Sequence, residues 1–266
     1  HAIGAIYLLP SLLLYFVSGD LKFALLIEGS TFFESLKNIW LPSAEFLNKG
    51  GLFRPVVSTI NLIDYFLWGT NAFGYHLTNT VVHLINIQLV YQLSLRLFKT
   101  VDISFLCSII FLFHPILANS VYWISGRTDM VACSFYLLSL IMTDKYLKDL
   151  DIKYFILAQI SFFVALLSRE ISITLPLAQA WLVLYYKYSL GRDIIFRLVL
   201  TRFATYNALV VALFLLYRLF IFGQNPLMID DVYSISGFYH LFINAIKVAS
   251  FMIVPFGHQS FEMLVY

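Results

Sequence analysis

The sequence predicts an all-α membrane protein that crosses the bilayer about eight times. Of its 266 residues, 61% are hydrophobic and 12% are charged, and the mean hydropathy is +0.84. Soluble domains average about 45–50% apolar and about 25% charged residues. Several apolar runs also approach the roughly 20 residues that an α-helix needs to cross a bilayer. The composition therefore indicates a polytopic protein, and the formal net charge of +2 gives no indication of a nucleic-acid partner.

The eight predicted crossings follow the apolar runs along the chain. They cover approximately Ile3–Val17, Tyr75–Leu97, Ile103–Tyr122, Met130–Tyr146, Tyr154–Leu167, Ile171–Tyr188, Phe203–Phe222 and Phe238–Val254. Lys247 interrupts the last run. Cys107 and Cys133 both fall inside these runs, so we interpret them as small core residues rather than as a disulfide or metal framework.

A long charged loop separates the first two crossings. Residues 20–68 carry too many charges to cross a bilayer, yet Thr31–Leu47 and Pro55–Trp68 have amphipathic patterns. Such helices lie along the membrane surface with one face in the lipid. We therefore predict a single membrane domain over residues 1–266, with interfacial helices in its first outer loop.

Basic residues in the short loops predict the orientation, because cytoplasmic loops are enriched in Lys and Arg. If the first helix leaves the cytoplasm, the short outer turns hold only Arg127 and Arg169. The cytoplasmic loops then hold Arg96, Lys99, Lys145, Lys148, Lys153, Lys187, Arg192 and Arg197.

In this orientation, most other polar residues gather at the outer boundary and form a candidate site. Charged groups cost at least about 2.5 kcal/mol each at mid-membrane and usually mark function. The candidate residues are Asp20, Arg54, His76, Asn79, His114, Arg127, Asp129, Arg169, Glu170 and Arg218.

Structural roles are open for several of these residues. His76, Asn79, His83 and Asn86 lie at helical spacing on one face, where His83 and Asn86 would serve as interhelical hydrogen-bond partners. Arg169 and Glu170 would form either a local ion pair at a helix start or part of the site. Pro115 is interpreted as shaping a helix.

Short motifs in a fixed order resemble a known family. The motifs are Phe53-Arg54-Pro55, Gly74-Tyr75-His76-Leu77-Thr78-Asn79, His114-Pro115-Ile116, Trp123-Ile124-Ser125-Gly126-Arg127-Thr128-Asp129, Ser168-Arg169-Glu170, Leu175-Pro176, Arg218, Asn225-Pro226-Leu227 and Pro255. Together they resemble the membrane half of the transmembrane and tetratricopeptide-repeat O-mannosyltransferases and their bacterial relatives, which have the GT-C glycosyltransferase fold. The repeat half of that family is expected to be absent or to lie outside this chain.

The resemblance implies a sugar transfer. A polyprenyl-phosphate monosaccharide, of mannose or a similar sugar, would be the donor, and a protein or lipid on the luminal or periplasmic face would be the acceptor. The chain would be a multi-pass protein of the endoplasmic reticulum membrane or of a bacterial inner membrane. A carboxylate would take the proton of the acceptor hydroxyl, and Arg54, Arg127, Arg169 and Arg218 would stabilise the departing lipid phosphate.

This chain departs from the family pattern at its acidic residues. The family's paired acids in the first outer loop read Gly19-Asp20 here, which leaves Asp20 as the candidate general base. The family's His-Pro-x-His-x-Glu pattern ends in Asn119, and an amide is a poorer ligand than a carboxylate for a hard cation. Gly19 and Asn119 weaken the expectation of a divalent metal without excluding one, and the sequence does not identify a cofactor.

Two hypotheses follow for the function. The chain is either a glycosyltransferase or a catalytically degenerate GT-C-fold subunit that contacts other membrane subunits. A transporter is disfavoured because transporter sites lie near the midplane of the membrane, whereas the polar residues here gather at one boundary.

The predicted orientation can be tested by cysteine labelling. Arg127 and Arg169 should lie outside, and Lys148 and Arg192 should lie in the cytoplasm. A cysteine at position 169 should react with a membrane-impermeant thiol reagent applied to the outer side of intact cells or sealed vesicles, and a cysteine at position 148 should react only after permeabilisation. The opposite labelling pattern would refute the orientation.

Overall fold

The computed structural model describes residues 8–16, 29–42, 53–190 and 193–222. Every regular element within these ranges is helical. The chain divides into two compact units, His1–Tyr217 and Arg218–Tyr266, and all contacts given below lie within the first unit. The single membrane domain over residues 1–266 stays a prediction.

The described residues form nine α-helices and three short 3-10 helices. The 3-10 helices are Leu9–Leu13, Ile124–Gly126 and Glu170–Thr174. The α-helices are α1 (Phe32–Trp40), α2 (Pro55–Trp68), α3 (Ala72–Phe98), α4 (Val101–Phe113), α5 (Pro115–Tyr122), α6 (Arg127–Asp149), α7 (Ile152–Ser168), α8 (Leu175–Leu190) and α9 (Asp193–Phe222).

Three of the described helical segments are long and apolar enough to cross a membrane. They are Ala72–Phe98, Ile124–Asp149 and Val199–Ile221. Val101–Phe113 and Ile152–Ser168 are shorter apolar helices. These helices support membrane association, while the count of eight crossings stays a prediction. The predicted crossing Phe238–Val254 lies outside the described residues. The predicted crossing Ile3–Val17 is wrong in its described part, residues 8–16, which form the short 3-10 helix Leu9–Leu13 followed by extended backbone at Leu14 rather than a continuous α-helix.

Three further predicted element boundaries are wrong. The predicted crossing Ile103–Tyr122 is broken at His114 into α4 and α5, because Pro115 has no N–H to donate to the preceding turn and disfavours a helical conformation at His114. The predicted crossing Ile171–Tyr188 begins instead as the 3-10 turn Glu170–Thr174. The helix predicted over Thr31–Leu47 ends at Trp40.

Helix α6 is the centre of the bundle. In the most apolar stretch of the segment Ile124–Asp149, which contains α6, 50% of the residues are buried. The corresponding shares are 17% for α3 and 28% for the Val199–Ile221 segment of α9. Its neighbour α7 contributes Phe162 and Leu166 to an apolar cluster with Leu175 of α8. Because α6 contacts helices on several sides, residues at its two ends are positioned by the whole bundle.

A buried amide joins three helices in the middle of the bundle. Gln179 of α8 donates from Nε2 to Ser139 Oγ of α6 at 3.1 Å and to Thr143 Oγ1 at 3.2 Å. Its Oε1 accepts from Asn207 Nδ2 of α9 at 2.8 Å. Hydrogen bonds within a helix satisfy its backbone, so such side-chain bonds fix how neighbouring membrane helices pack.

We expect Gln179→Leu to lower the free energy of unfolding by about 1–3 kcal/mol, because it leaves the buried Asn207 amide without its acceptor and removes the donor to Ser139 and Thr143. The measurement is unfolding of the purified protein in mixed detergent micelles. Leu177→Ala is the control, since Leu177 is 75% exposed on the same helix and should change stability by less than about 0.5 kcal/mol. Equal effects of the two substitutions would contradict the role of this amide.

Candidate functional site

Arg127 is the centre of the candidate site. The chain leaves α5, makes the 3-10 turn Ile124–Gly126 and begins α6 at Arg127. The Arg127 side chain is only 1% exposed. A guanidinium has five N–H donors and cannot lose its proton, so it is stable in such a position only if acceptors surround it.

Two of these acceptors come from α2, in the loop that precedes the long helices. Arg127 Nη1 donates to Asp64 Oδ2 at 2.6 Å and to Asn61 Oδ1 at 2.8 Å. The other Asp64 oxygen, Oδ1, accepts from Thr78 Oγ1 at 2.7 Å. The Asp64 side chain is 4% exposed, so both charges of this ion pair are buried and both are hydrogen-bonded.

Two further acceptors come from the first turns of α3. Arg127 Nε donates to Asn79 Oδ1 at 2.8 Å, and Nη2 donates to the Tyr75 carbonyl at 2.8 Å. Asn79 Nδ2 in turn lies 3.3 Å from the Trp123 carbonyl, just before α6. This hydrogen-bonded group, which we call the Arg127 cluster, comprises Arg127, Asp64, Asn61, Asn79, Thr78 and the Tyr75 carbonyl. It joins α2, α3 and α6.

Two partly exposed ion pairs accompany the Arg127 cluster. Arg54, immediately before α2, lies 3.5 Å from Glu170 Oε2, and these side chains are 21% and 38% exposed. Arg169 pairs with Asp129 of α6, and their side chains are 33% and 45% exposed. Because Arg169 and Glu170 are consecutive, the turn after α7 links the start of α2 to the start of α6.

The structure thus brings together most of the predicted site residues. Arg54 meets Glu170, Arg127 meets Asn79, and Asp129 meets Arg169. His76 is buried on α3, one turn before Asn79. His114 is half-buried in the turn between α4 and α5. Roles for all of these residues in binding stay predictions.

Two predicted site residues remain. Asp20 is outside the described residues. Arg218 lies on α9, at the first residue of the second compact unit. The roles of both stay predictions.

Arg127 is less accessible to an anion than Arg54 and Arg169 are. Its three nitrogens donate to four protein acceptors, and a phosphate could reach it only if those contacts opened. The Arg54 and Arg169 side chains are partly exposed, and each contacts a carboxylate. The geometry therefore favours Arg54 and Arg169 over Arg127 as phosphate ligands.

Sequence reasoning missed Asn61 and Asp64. Both lie in the stretch Pro55–Trp68, which we predicted only as an interfacial helix. The available signal was a carboxylate with an amide three residues before it, in an otherwise apolar run. At that spacing the two side chains share a helix face, and a buried carboxylate needs a cationic partner.

The structural interpretation of Asn86 is confirmed by its contacts. Asn86 Nδ2 donates to the Met130 carbonyl at 2.9 Å, and Ser134 Oγ donates to Asn86 Oδ1 at 2.6 Å. His83 stacks on Phe111 with the ring centroids 5.6 Å apart. Within the described ranges, no group of three or more His, Cys, Asp or Glu side chains is arranged to hold a metal ion.

Comparisons with known proteins give partial matches to O-mannosyl-transferases. The chain is 30% identical over 146 residues to protein O-mannosyl-transferase F38B6.6 of Caenorhabditis elegans, which is 53% of this chain and 20% of that protein. It is 32% identical over 100 residues to protein O-mannosyl-transferase TMTC1 of Homo sapiens, or 37% and 11% of the two chains. It is 27% identical over 124 residues to protein O-mannosyl-transferase Tmtc1 of Drosophila melanogaster, or 47% and 14%.

These matches cover only 11% to 20% of the relatives' own lengths. No family model and no solved structure matches the chain. The similarity is therefore to part of these named transferases.

Stability measurements should separate the buried ion pair from the exposed ones. Arg127→Met leaves the Asp64 carboxylate buried without its cation, and we expect it to lower the free energy of unfolding by about 3–5 kcal/mol. Arg169→Met breaks a partly exposed pair and should cost less than about 1 kcal/mol. Unfolding in mixed detergent micelles measures both, and an equal loss in the two variants would argue against a buried Arg127.

Proposed function

We propose that this chain is the membrane part of a glycosyltransferase with a GT-C-like fold. It moves a sugar, mannose or a similar one, from a polyprenyl-phosphate donor to a protein or lipid acceptor at the luminal or periplasmic face. The partial matches to proteins named O-mannosyl-transferases and the long apolar helices support this proposal. The protein is then an integral membrane protein of the endoplasmic reticulum or of a bacterial inner membrane.

The observation that carries the proposal is the meeting of distant motifs. Arg127 lies in the Trp-Ile-Ser-Gly-Arg-Thr-Asp motif and bonds Asn79 of the Gly-Tyr-His-Leu-Thr-Asn motif, 48 positions earlier. Glu170 lies in the Ser-Arg-Glu motif and pairs with Arg54 of the Phe-Arg-Pro motif, 116 positions earlier. Four motifs that are dispersed in the sequence therefore meet at one end of the bundle.

The proposed chemistry assigns separate tasks to these residues. Asp20 takes the proton of the acceptor hydroxyl as its oxygen attacks the anomeric carbon. The bond between that carbon and the donor phosphate oxygen breaks, and the lipid phosphate leaves with the electron pair. Arg54 and Arg169 stabilise the departing phosphate, because a guanidinium matches phosphate with two parallel hydrogen bonds. The Arg127 cluster positions α2, which begins directly after Arg54, and α6, which carries Asp129, the partner of Arg169.

A second candidate function is that of a catalytically degenerate subunit in a larger membrane assembly. One observation favours it: Arg54, Arg127 and Arg169 are each paired with a carboxylate. Those three pairs are formally neutral, as a purely structural network would be. Asn119 stands where the family pattern has Glu, and Gly19 stands where it has the first of two acids. The loss of these two carboxylates agrees with this function.

Turnover of the purified protein decides between the two functions. The substrates are a radiolabelled polyprenyl-phosphate mannose and a peptide acceptor. For an enzyme, Asp20→Asn should lower turnover about 10²–10⁴-fold, the usual contribution of a general base, while donor binding persists. Asp102→Asn is the matched control, because Asp102 is exposed in the first turn of α4 and should leave turnover unchanged.

Two outcomes would contradict the assignment. Full turnover in Asp20→Asn would eliminate this residue as the base. An inactive natural protein would favour the degenerate subunit, and activity appearing in the Gly19→Asp, Asn119→Glu double variant would locate the lost function at those two positions.

A further inference from the structure

A second buried carboxylate lies at the opposite end of the bundle. Asp144 of α6 is 0% exposed. Its Oδ1 accepts a 2.5 Å hydrogen bond from the Tyr186 hydroxyl of α8. Its Oδ2 accepts from Arg96 Nη1 of α3 at 3.1 Å and from Lys148 Nζ at 2.9 Å. The proposed sugar transfer gives none of these residues a role.

The two cations lie at the surface although the carboxylate that holds them does not. The Arg96 and Lys148 side chains are 31% and 36% exposed. In the part of the chain that the structure describes, each of them makes one hydrogen bond, to the same Asp144 oxygen. The group therefore has an uncompensated positive charge, and each side chain retains N–H donors that this contact does not use.

The position of this group suits a ligand at the membrane boundary. Arg96 and Lys148 lie in the last turns of α3 and α6, and Tyr186 lies one turn before the end of α8. These are the ends that the basic loops predict to be cytoplasmic. The segments 96–102, 144–153 and 187–202 together contain nine Lys or Arg residues and five Asp residues. Basic pockets between helices at this depth are suited to lipid phosphates.

We propose that Arg96 and Lys148 bind the phosphate of an anionic phospholipid headgroup on the side of the membrane opposite to the Arg127 cluster. Arg96 Nη1 and Lys148 Nζ both lie within hydrogen-bond distance of Asp144 Oδ2. The two cations are therefore close enough together for one phosphate to bridge them. Asp144 is a positioning residue: it holds both cations, and its single negative charge leaves the two of them with a net positive charge for the phosphate. The Tyr186 hydroxyl donates to Oδ1, the other oxygen of the Asp144 carboxylate, and so fixes its orientation. This site is independent of the sugar-transfer proposal.

The test uses lipid nanodiscs of two compositions, phosphatidylcholine alone and phosphatidylcholine mixed with phosphatidic acid. The natural protein should unfold at a higher temperature in the anionic discs. Arg96→Gln and Lys148→Gln should each lose most of that difference while still leaving Asp144 one cation. Lys153→Gln is the matched control, since Lys153 is 60% exposed and paired with Asp151, and it should retain the full difference.

Three outcomes would overturn the proposal. The first is that the natural protein unfolds at the same temperature in both kinds of disc. The second is that Arg96→Gln and Lys148→Gln both retain the full difference in unfolding temperature. The third is that Lys153→Gln loses as much of this difference as they do. Glycerol phosphate added to the phosphatidylcholine discs distinguishes the phosphate source. Stabilisation by this soluble compound equal to that by phosphatidic acid would assign the site to a free phosphate and overturn the lipid assignment.

Discussion

The buried pair of Arg127 and Asp64 is the interaction on which the described bundle depends at its predicted outer end. Removing two ions from water costs several kcal/mol per ion, and their attraction offsets this only when the remaining donors and acceptors are also satisfied. Here Asn61, Asn79 and the Tyr75 carbonyl complete the shell of Arg127, and Thr78 completes that of Asp64. Helix α2 belongs to the charged loop between the first two predicted crossings, and the composition of that loop does not determine which helices it packs against. The Arg127–Asp64 pair joins α2 to α6, and the bonds of both residues to α3 complete the junction.

The two polar ends of the bundle use the same chemistry with different consequences. At the Arg127 end, three arginines are matched by three carboxylates, so these pairs carry no net formal charge. At the Asp144 end, one carboxylate serves two cations, and an anion can bind without displacing it.

The sequence predicted the helical class and most long helices, because apolar runs and charged loops are local patterns. It could not predict the break at His114 from hydropathy alone, since Pro115 interrupts the helix without interrupting the apolar run. It identified Arg127, Asn79, Arg169 and Glu170 as site candidates, but it did not predict which residues they contact. Asp64 was missed although a carboxylate in an apolar run is a local signal. Its pairing with Arg127 across 63 positions leaves no such signal, and the partner decides whether an arginine is a ligand or a structural ion.

A double-mutant cycle on Arg127 and Asp64 tests the central claim most directly. The four proteins are the natural chain, Arg127→Met, Asp64→Leu and the double variant, unfolded in mixed detergent micelles. If the pair is buried as described, the double variant should lose far less stability than the two single losses combined, with a coupling energy of about 2–3 kcal/mol. Additive losses, with a coupling energy near zero, would show that the two side chains do not meet and would contradict the Arg127 cluster.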